Sequence, residues 1–203
     1  MRSTVRQSKL VRILIILCAL LFPTLRPASP VSSMTGPATS GLTSLELITQ
    51  VEGPVNAVAV VEPYAYIGVG PRLVILDMTR PDNPRRIGLS APILRDRAGI
   101  GDVHVAGNYA YVAAGIGGMA IFDISQPYLP TQVASDETEA WMVSVTGQLL
   151  FVTQGGKLRI WNVADPTHPQ VESEINTPNM GYDDFTDVTA AGNYVYVTQT
   201  GAF

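Results

Sequence analysis

Short runs of β-prone residues, bounded by glycine, asparagine or proline, follow one another along the chain from about residue 55. A representative unit contains four such runs, at 103–105, 109–112, 119–123 and 131–134. Gly107 and Asn108 tolerate positive φ and suit a tight hairpin between the first two runs. Pro127 and Pro130 cannot donate a ladder hydrogen bond, so they mark a corner before the fourth run. The unit predicts a four-stranded antiparallel meander.

The second run of each unit is apolar on both of its faces. One face carries mainly aromatic residues and the other carries aliphatic ones: Tyr64/Tyr66, Tyr109/Tyr111, Leu149/Phe151 and Tyr194/Tyr196 against Ala65/Ile67, Ala110/Val112, Leu150/Val152 and Val195/Val197. An antiparallel sheet with one wet face would alternate apolar with polar residues. We therefore expect each sheet to be sandwiched between neighbouring sheets, as radial stacking of blades achieves.

The unit recurs with a nearly constant period. Its second aromatic position falls at Tyr66, Tyr111, Phe151 and Tyr196, which gives spacings of 45, 40 and 45 residues. A β-rich period of this length is typical of propeller blades. The predicted fold class is an all-β β-propeller of four-stranded antiparallel blades. We expect about three and a half blades within 43–203, with repeats at about 55–99, 100–139, 140–184 and an incomplete 185–203.

A partial ring of this kind would be incomplete alone, because closed propellers have four to eight blades. The run 45–49 is predicted to be a lone fourth strand that precedes the first blade. Unpaired edges are then expected near Leu45 and at Thr198. The missing blades would come from a longer chain or from self-association.

The third run carries a family resemblance. It reads Leu-Val-Ile-Leu-Asp at 73–77, and an Asp or Asn followed by Pro-x-x-Pro closes three of the repeats. Over about 55–203 the chain resembles the LVIVD repeat family of exported bacterial and archaeal proteins. The resemblance implies a propeller and an exported location, and no settled activity. The third copy departs from the pattern, because it reads Leu-Arg-Ile-Trp-Asn at 158–162 and places Arg159 where less burial is expected.

The amino terminus has the three parts of a secretory signal. A basic segment to Arg12 precedes ten apolar residues at 13–22, and small residues at 31–33 offer a cleavage site. Ten apolar residues are too few for ~30 Å of hydrocarbon, so a membrane anchor is the less favoured alternative. We therefore expect a signal peptide at 1–33, a flexible lead-in at 34–42, no stable membrane span, and a secreted or cell-surface protein. Cys18, the single cysteine, would be removed.

Composition and charge exclude some classes of partner. The chain is 46% hydrophobic and 15% charged, which describes a well-buried globular protein and not a disordered one. From Met34 onward there are eight basic and 17 acidic residues, a balance of −9. Nucleic acid is not expected as a partner, because phosphate binding needs clustered Lys and Arg.

The polar residues of the recurring turns are predicted to be structural. Asp77, Asp123 and Asn162 each precede a Pro-x-x-Pro turn, and their recurrence indicates capping of turn amides rather than a carboxylate site. The turn prolines are Pro81, Pro84, Pro127, Pro130, Pro166 and Pro169.

Candidate binding residues lie on the loops after the second and fourth strands, which emerge on one face of the ring. They are Asp96, Arg97, Asp102, Tyr182, Asp183, Asp184 and Asp187. Acidic loops could supply oxygen ligands to Ca²⁺, although solvated carboxylates are the simpler interpretation. Asp102 and Asp187 hold equivalent repeat positions, which favours a role at a strand start. No other cofactor is indicated.

No catalytic constellation is found in the sequence. Two histidines, His104 and His168, do not make a multi-histidine metal site, and Trp141 and Trp161 are predicted to be inter-blade core rather than a stacking platform for sugar. The favoured hypothesis is a non-catalytic exported module that presents one loop face to a protein, a carbohydrate or another ligand. The alternative is a Ca²⁺-dependent hydrolase or lyase with its site in the acidic loops.

Overall fold

The computed structural model describes residues 55–93, 99–176, 185–192 and 194–199, with the backbone alone at 12–15 and 199. The described residues form strands and connecting turns, without an α-helix, and none of their segments is a helix that could span a membrane. Three complete four-stranded sheets follow one another along the chain. Their strands are β2 (Val55–Val61), β3 (Tyr64–Val69), β4 (Arg72–Asp77) and β5 (Arg85–Leu89) in the first blade; β6 (Asp102–Ala106), β7 (Tyr109–Ala113), β8 (Met119–Asp123) and β9 (Thr131–Asp136) in the second; and β10 (Val143–Thr146), β11 (Leu149–Gln154), β12 (Lys157–Asn162) and β13 (Gln170–Asn176) in the third.

Each complete blade is an antiparallel meander in chain order, as the repeat predicts. The register also repeats, because Tyr66, Tyr111 and Phe151 pair with Ile75, Ile121 and Ile160 of the third strands. Gly107 at the first hairpin of the second blade has φ of +58°, the conformation that the Gly-Asn pair predicts.

The fourth sheet is smaller and has a different composition. It contains β14 (Phe185–Ala191), β15 (Tyr194–Gln199) and, on the other side of β15, β1 (Arg12–Ile15). β1 runs parallel to β15, with Arg12 opposite Tyr194 and Ile15 opposite Val197. From Tyr194 to Val197 the edge of β15 is thus paired, because β1 takes the place that a third strand has in the other blades, while Thr198, where an unpaired edge is expected, lies beyond the paired residues. The expected strand at 45–49 lies outside the described residues.

The hydrophobic core lies between the blades. One cluster joins the first two blades around Tyr66 and Val112, a second joins the next two around Tyr111 and Val152, and a third joins the third and fourth around Phe151. Tyr66, Tyr111 and Phe151 are only 4%, 3% and 1% exposed. Each of these side chains packs against the aliphatic face of the following blade, so both faces of the second strand are buried in the three complete blades, as the sequence predicts. In the fourth blade Tyr194 is 43% exposed.

The two faces of every blade differ in what they pack against. We call the face toward the next blade in sequence the trailing face and the opposite one the leading face. On first strands the leading face carries valines, at Val103, Val143 and Val188, which are 5%, 3% and 5% exposed. The described sheets form an open arc, so the first blade's leading face and the fourth blade's trailing face meet no other described blade.

Candidate functional site

The two rims of the arc have different chemistry. The rim with the Pro-x-x-Pro turns, which we call the turn rim, is built by the same bonds in three blades. Asp77 accepts a hydrogen bond from the Thr79 amide at 2.9 Å, and Asp123 accepts one from the Ser125 amide at 2.8 Å. Asn162 accepts the corresponding bond from the Ala164 amide at 3.0 Å. These side chains cap their turns.

The prolines complete these turns. Pro81, Pro127 and Pro166 occupy the second position of a turn closed by an amide-to-carbonyl bond across four residues. Pro84, Pro130 and Pro169 stand immediately before the fourth strands. In the third turn Asp165 also accepts bonds from the Thr167 hydroxyl at 2.6 Å and the Thr167 amide at 3.0 Å. These bonds and neighbouring His168 hold the pKa of Asp165 at about 2.

The opposite rim, which we call the loop rim, carries the connections after second and fourth strands. Gly115 and Ala140 form a β-bridge there, so the two kinds of connection meet within one blade. Gly118 has φ of +87°, and a Cβ at this position would collide with the Asp136 carbonyl. The glycine-rich segment 115–118 therefore supports the connection that leads into the third blade.

Asp102 joins two blades at this rim. Its carboxylate accepts the amide of Val103, in its own strand, at 2.8 Å and the amide of Val143, at the start of β10 in the next blade, also at 2.8 Å. Asp187 occupies the equivalent place in β14 and accepts the amide of Val188 at 2.8 Å. The bond that Asp102 makes to the following blade has no counterpart for Asp187 within the described part of the chain.

The partly buried surroundings of Asp102 raise its own pKa and lower that of His104. Burial raises the pKa of Asp102, the negative charge of Asp187 raises it further, and the two amide bonds oppose the rise. Burial lowers the pKa of His104, and the charge of Asp102 opposes that shift. The three residues form a polar group on first strands, next to the loop rim, that spans the second to the fourth blade.

Trp141 is a large aromatic residue at the loop rim. Its side chain is 40% exposed, so the expectation that it belongs to the inter-blade core is wrong, whereas Trp161 is 6% exposed and buried in the second cluster. The six-membered ring of Trp141 lies against Gly115, where an added Cβ would come within 3.1 Å of it. The Trp141 amide donates to the Thr153 carbonyl at 3.0 Å. The main chain thus holds the indole at the seam between the second and third blades.

Gln154 lies at the same seam and was missed by the sequence analysis. It is 6% exposed, and neither its amide nitrogen nor its amide oxygen has a hydrogen-bond partner. Because Leu150 and Val152 of the same strand face the second blade, alternation directs Gln154 to that side as well. A buried amide without a partner is uncommon and commonly marks a place for a water molecule or a ligand. We call Trp141 and Gln154 the seam corner.

A charged group flanks the seam corner. Arg159 donates to Glu174 at 3.0 Å and lies 3.8 Å from Asp136 of the second blade. Lys157 forms a second ion pair with Glu174 at 3.1 Å, and the hydrogen bonds from Arg159 and Lys157 lower the pKa of Glu174. Arg159 is thus tied to carboxylates on both sides of the seam.

The structure brings together only part of the predicted loop-rim set. Asp102 and Asp187 interact electrostatically, while Asp96, Arg97, Tyr182, Asp183 and Asp184 lie outside the described residues. Among the described residues no group of three or more His, Cys, Asp or Glu could hold a metal ion. The suggested Ca²⁺ site depends on the loop aspartates for which no geometry is described.

Comparison with known families and structures agrees with this architecture. A family model described as the LVIVD repeat matches residues 52–91, 100–138, 137–177 and 184–202. No curated protein matches the chain.

Solved structures show the same fold at low sequence identity. The β-propeller domain of Cps50 (Swd1) from Myceliophteria thermophila is 14% identical, with a TM-score of 0.53 over 66% of this chain and 46% of that one. A putative 6-phosphogluconolactonase from Bacteroides uniformis is 13% identical, with a TM-score of 0.57 over 70% and 48%. The computationally designed Ika4 protein is 10% identical, with a TM-score of 0.56 over 79% of this chain and all of that one. The chain thus spans about half the length of these two natural proteins.

Proposed function

Because the chain belongs to the LVIVD repeat family and its sheets form part of a β-propeller, we propose that it is a non-catalytic binding module whose loop rim contacts an external partner. The observation that carries the proposal is the seam corner, where an indole that is 40% exposed lies at the same seam as a buried amide without a partner. An aromatic face with a few placed polar groups is typical of ligand sites.

The chemistry of the seam corner favours a carbohydrate among the possible partners. A sugar ring offers an apolar face to the exposed indole of Trp141. Its hydroxyl groups match the amide of Gln154, which can both donate and accept, but this amide is buried in the free protein, so binding requires the rim to open around it. Binding would satisfy an amide that costs free energy while it is buried without a partner. The neighbouring Arg159 is already engaged by carboxylates, so a neutral sugar fits the corner better than an acidic one.

The two tryptophans make this proposal testable by fluorescence. The full chain is screened on an array of neutral oligosaccharides, and each sugar that binds is titrated while tryptophan emission is recorded. We expect a blue shift on binding that is lost in Trp141→Phe and kept in Trp161→Phe. Gln154→Ala is expected to weaken binding by roughly tenfold, the effect of losing one or two hydrogen bonds.

A matched control uses Tyr128→Ala, because Tyr128 is 66% exposed on the turn rim. This variant should bind like the unmodified protein. Absence of binding to every sugar, or binding that is unchanged in Trp141→Phe, would refute the carbohydrate proposal.

We also propose that the protein is exported, on the basis of the basic and apolar segments at 1–22. Cleavage after residue 33 would remove β1 and expose the outer edge of β15. The mass of the protein recovered outside the cells tests this proposal. A recovered chain that still begins at Met1 would contradict it.

A further inference from the structure

The two ends of the arc carry opposite halves of one type of interface. In each inter-blade contact, an aromatic trailing face packs on a leading face whose first strand presents valine. On the first blade the leading-face residues of that strand are Val58 and Val60, which are 64% and 63% exposed. Their counterparts Val143 and Val145, covered by a preceding blade, are 3% and 8% exposed. This difference in exposed fraction is the valine surface that a preceding blade would cover.

The fourth blade exposes the complementary half of this interface, its trailing face. Val195 and Val197 face the third blade, so alternation places Tyr194 and Tyr196 on the trailing face. Tyr194 is 43% exposed, and the two rings lie 6.4 Å apart. Asp187 is exposed on the same face, in the position from which Asp102 reaches across to the next blade.

We propose that a second copy of this chain docks head to tail, with the inner strand β2 of one copy packed on the trailing face of the fourth blade of the other. Tyr194 and Tyr196 cover Val58 and Val60 of the incoming copy. Asp187 accepts the main-chain amide of Val58, which holds the position of Val143. The contact reproduces only the first-strand part of the interface that joins the blades within one chain, because Ala65 and Ile67, the second-strand residues that would complete it, are already buried.

The contact is confined to the inner part of the first blade. Farther out on its leading face, Ala65, Ile67, Val74 and Leu76 form a buried cluster. Docking of two different surfaces is heterologous, so it leaves one free half at each end and closes only if the rotation between copies completes a ring. Two copies that place their own halves against each other would instead be related by a two-fold axis.

Two single substitutions separate these arrangements. Val60→Lys charges the leading face, and Tyr194→Lys charges the trailing face with the same sign, so that the two blocked faces cannot form an ion pair; both side chains are exposed enough to change without filling a core position. Sedimentation of the full chain, from low micromolar to high concentration, should show association of the unmodified protein. Each variant alone should associate at least roughly a hundredfold more weakly, because an unpaired charge is placed in an apolar contact.

The mixture of the two variants is decisive. One intact leading face and one intact trailing face remain, so an equimolar mixture should form a dimer and nothing larger. Asp187→Asn, which replaces one carboxylate oxygen by an NH2 donor and removes the negative charge while the other oxygen still accepts the Val188 amide, should weaken association by roughly tenfold. Tyr128→Asp, on the turn rim, serves as the control and should associate normally.

Other outcomes would overturn the proposal. They are a monomeric unmodified chain at high concentration, a single variant that still associates, and a mixture that stays monomeric. Circular dichroism melts establish that each variant is folded, and Val58→Lys replaces Val60→Lys if the latter is not.

Discussion

Removal of the Asp102 carboxylate tests whether single hydrogen bonds across the seams stabilise the arc. In Asp102→Ala the amides of Val103 and Val143 lose their acceptor, and both residues lie in the core at 5% and 3% exposure. A buried donor left without a partner costs about 1–3 kcal/mol. Part of this cost is offset because the substitution also removes a carboxylate that burial disfavours, as its raised pKa indicates. We expect a loss of about 2–4 kcal/mol in the free energy of unfolding.

Asp187→Ala is the matched control, since Asp187 holds the same repeat position and caps a single amide. Its expected cost is about 1 kcal/mol. Both variants are measured by urea unfolding in the Val60→Lys background, so that association does not contribute. Unfolding is followed by tryptophan fluorescence and by circular dichroism. Equal losses in the two variants would show that the bond from Asp102 to the third blade adds no stability, and the reasoning would fail.

Three further predictions concern the core and the titrating groups. Tyr111→Ala, at a side chain 3% exposed, should lower the free energy of unfolding by about 3–5 kcal/mol in denaturant melts; a loss below about 1 kcal/mol would show that the strand is not sandwiched. Asp165 should titrate at about 2 by NMR, and Thr167→Val should raise that pKa toward its ordinary value; no change would remove Thr167 as its cause. His104 has a lowered pKa, so its contribution to stability is present above its ordinary pKa of 6.5 and is lost as the pH falls through the folded value. His104→Gln should therefore flatten the pH dependence of the melting temperature below pH ~6.5, and an unchanged profile would contradict this.

The repeat architecture was predictable because it is encoded locally and several times. The aromatic positions of the second strands, the Gly-Asn hairpin and the Pro-x-x-Pro turns each reappear, so an error in one copy is corrected by the others. Which face of a blade packs on which neighbouring blade was harder to predict from the sequence. Alternation assigns Tyr111 and Val112 to opposite faces, but only the folded arc shows which face meets the preceding blade and which the following one.

The seam corner was not predictable because its properties arise from contacts between distant segments. Trp141 follows a fourth strand and was expected in the core, yet the bridge between Gly115 and Ala140 holds it at the rim. The missing partners of Gln154 depend on every neighbour of its amide, which no local pattern records. The pairing of β1 with β15 joins segments about 180 residues apart and has no signature in the repeat.

The places where the repeats differ carry more functional information than the places where they agree. The capping residues Asp77, Asp123 and Asn162 recur because every blade needs the same turn, so their conservation between repeats follows from folding alone. The position of Arg159 is held in the other complete blades by Val74 and Ala120, which are 6% and 1% exposed.

The side chain of Arg159 is 19% exposed, and the partial desolvation of its charge carries a cost that an aliphatic side chain avoids. Trp141 departs in the same way, because the equivalent residues of the second and fourth repeats are Gly101 and Thr186. Both departures lie on one seam, between the second and third blades, next to the unpartnered Gln154. Blade formation does not require them, since the other complete blades form without them. Their concentration at one seam is therefore the reason that the proposed binding site is placed there.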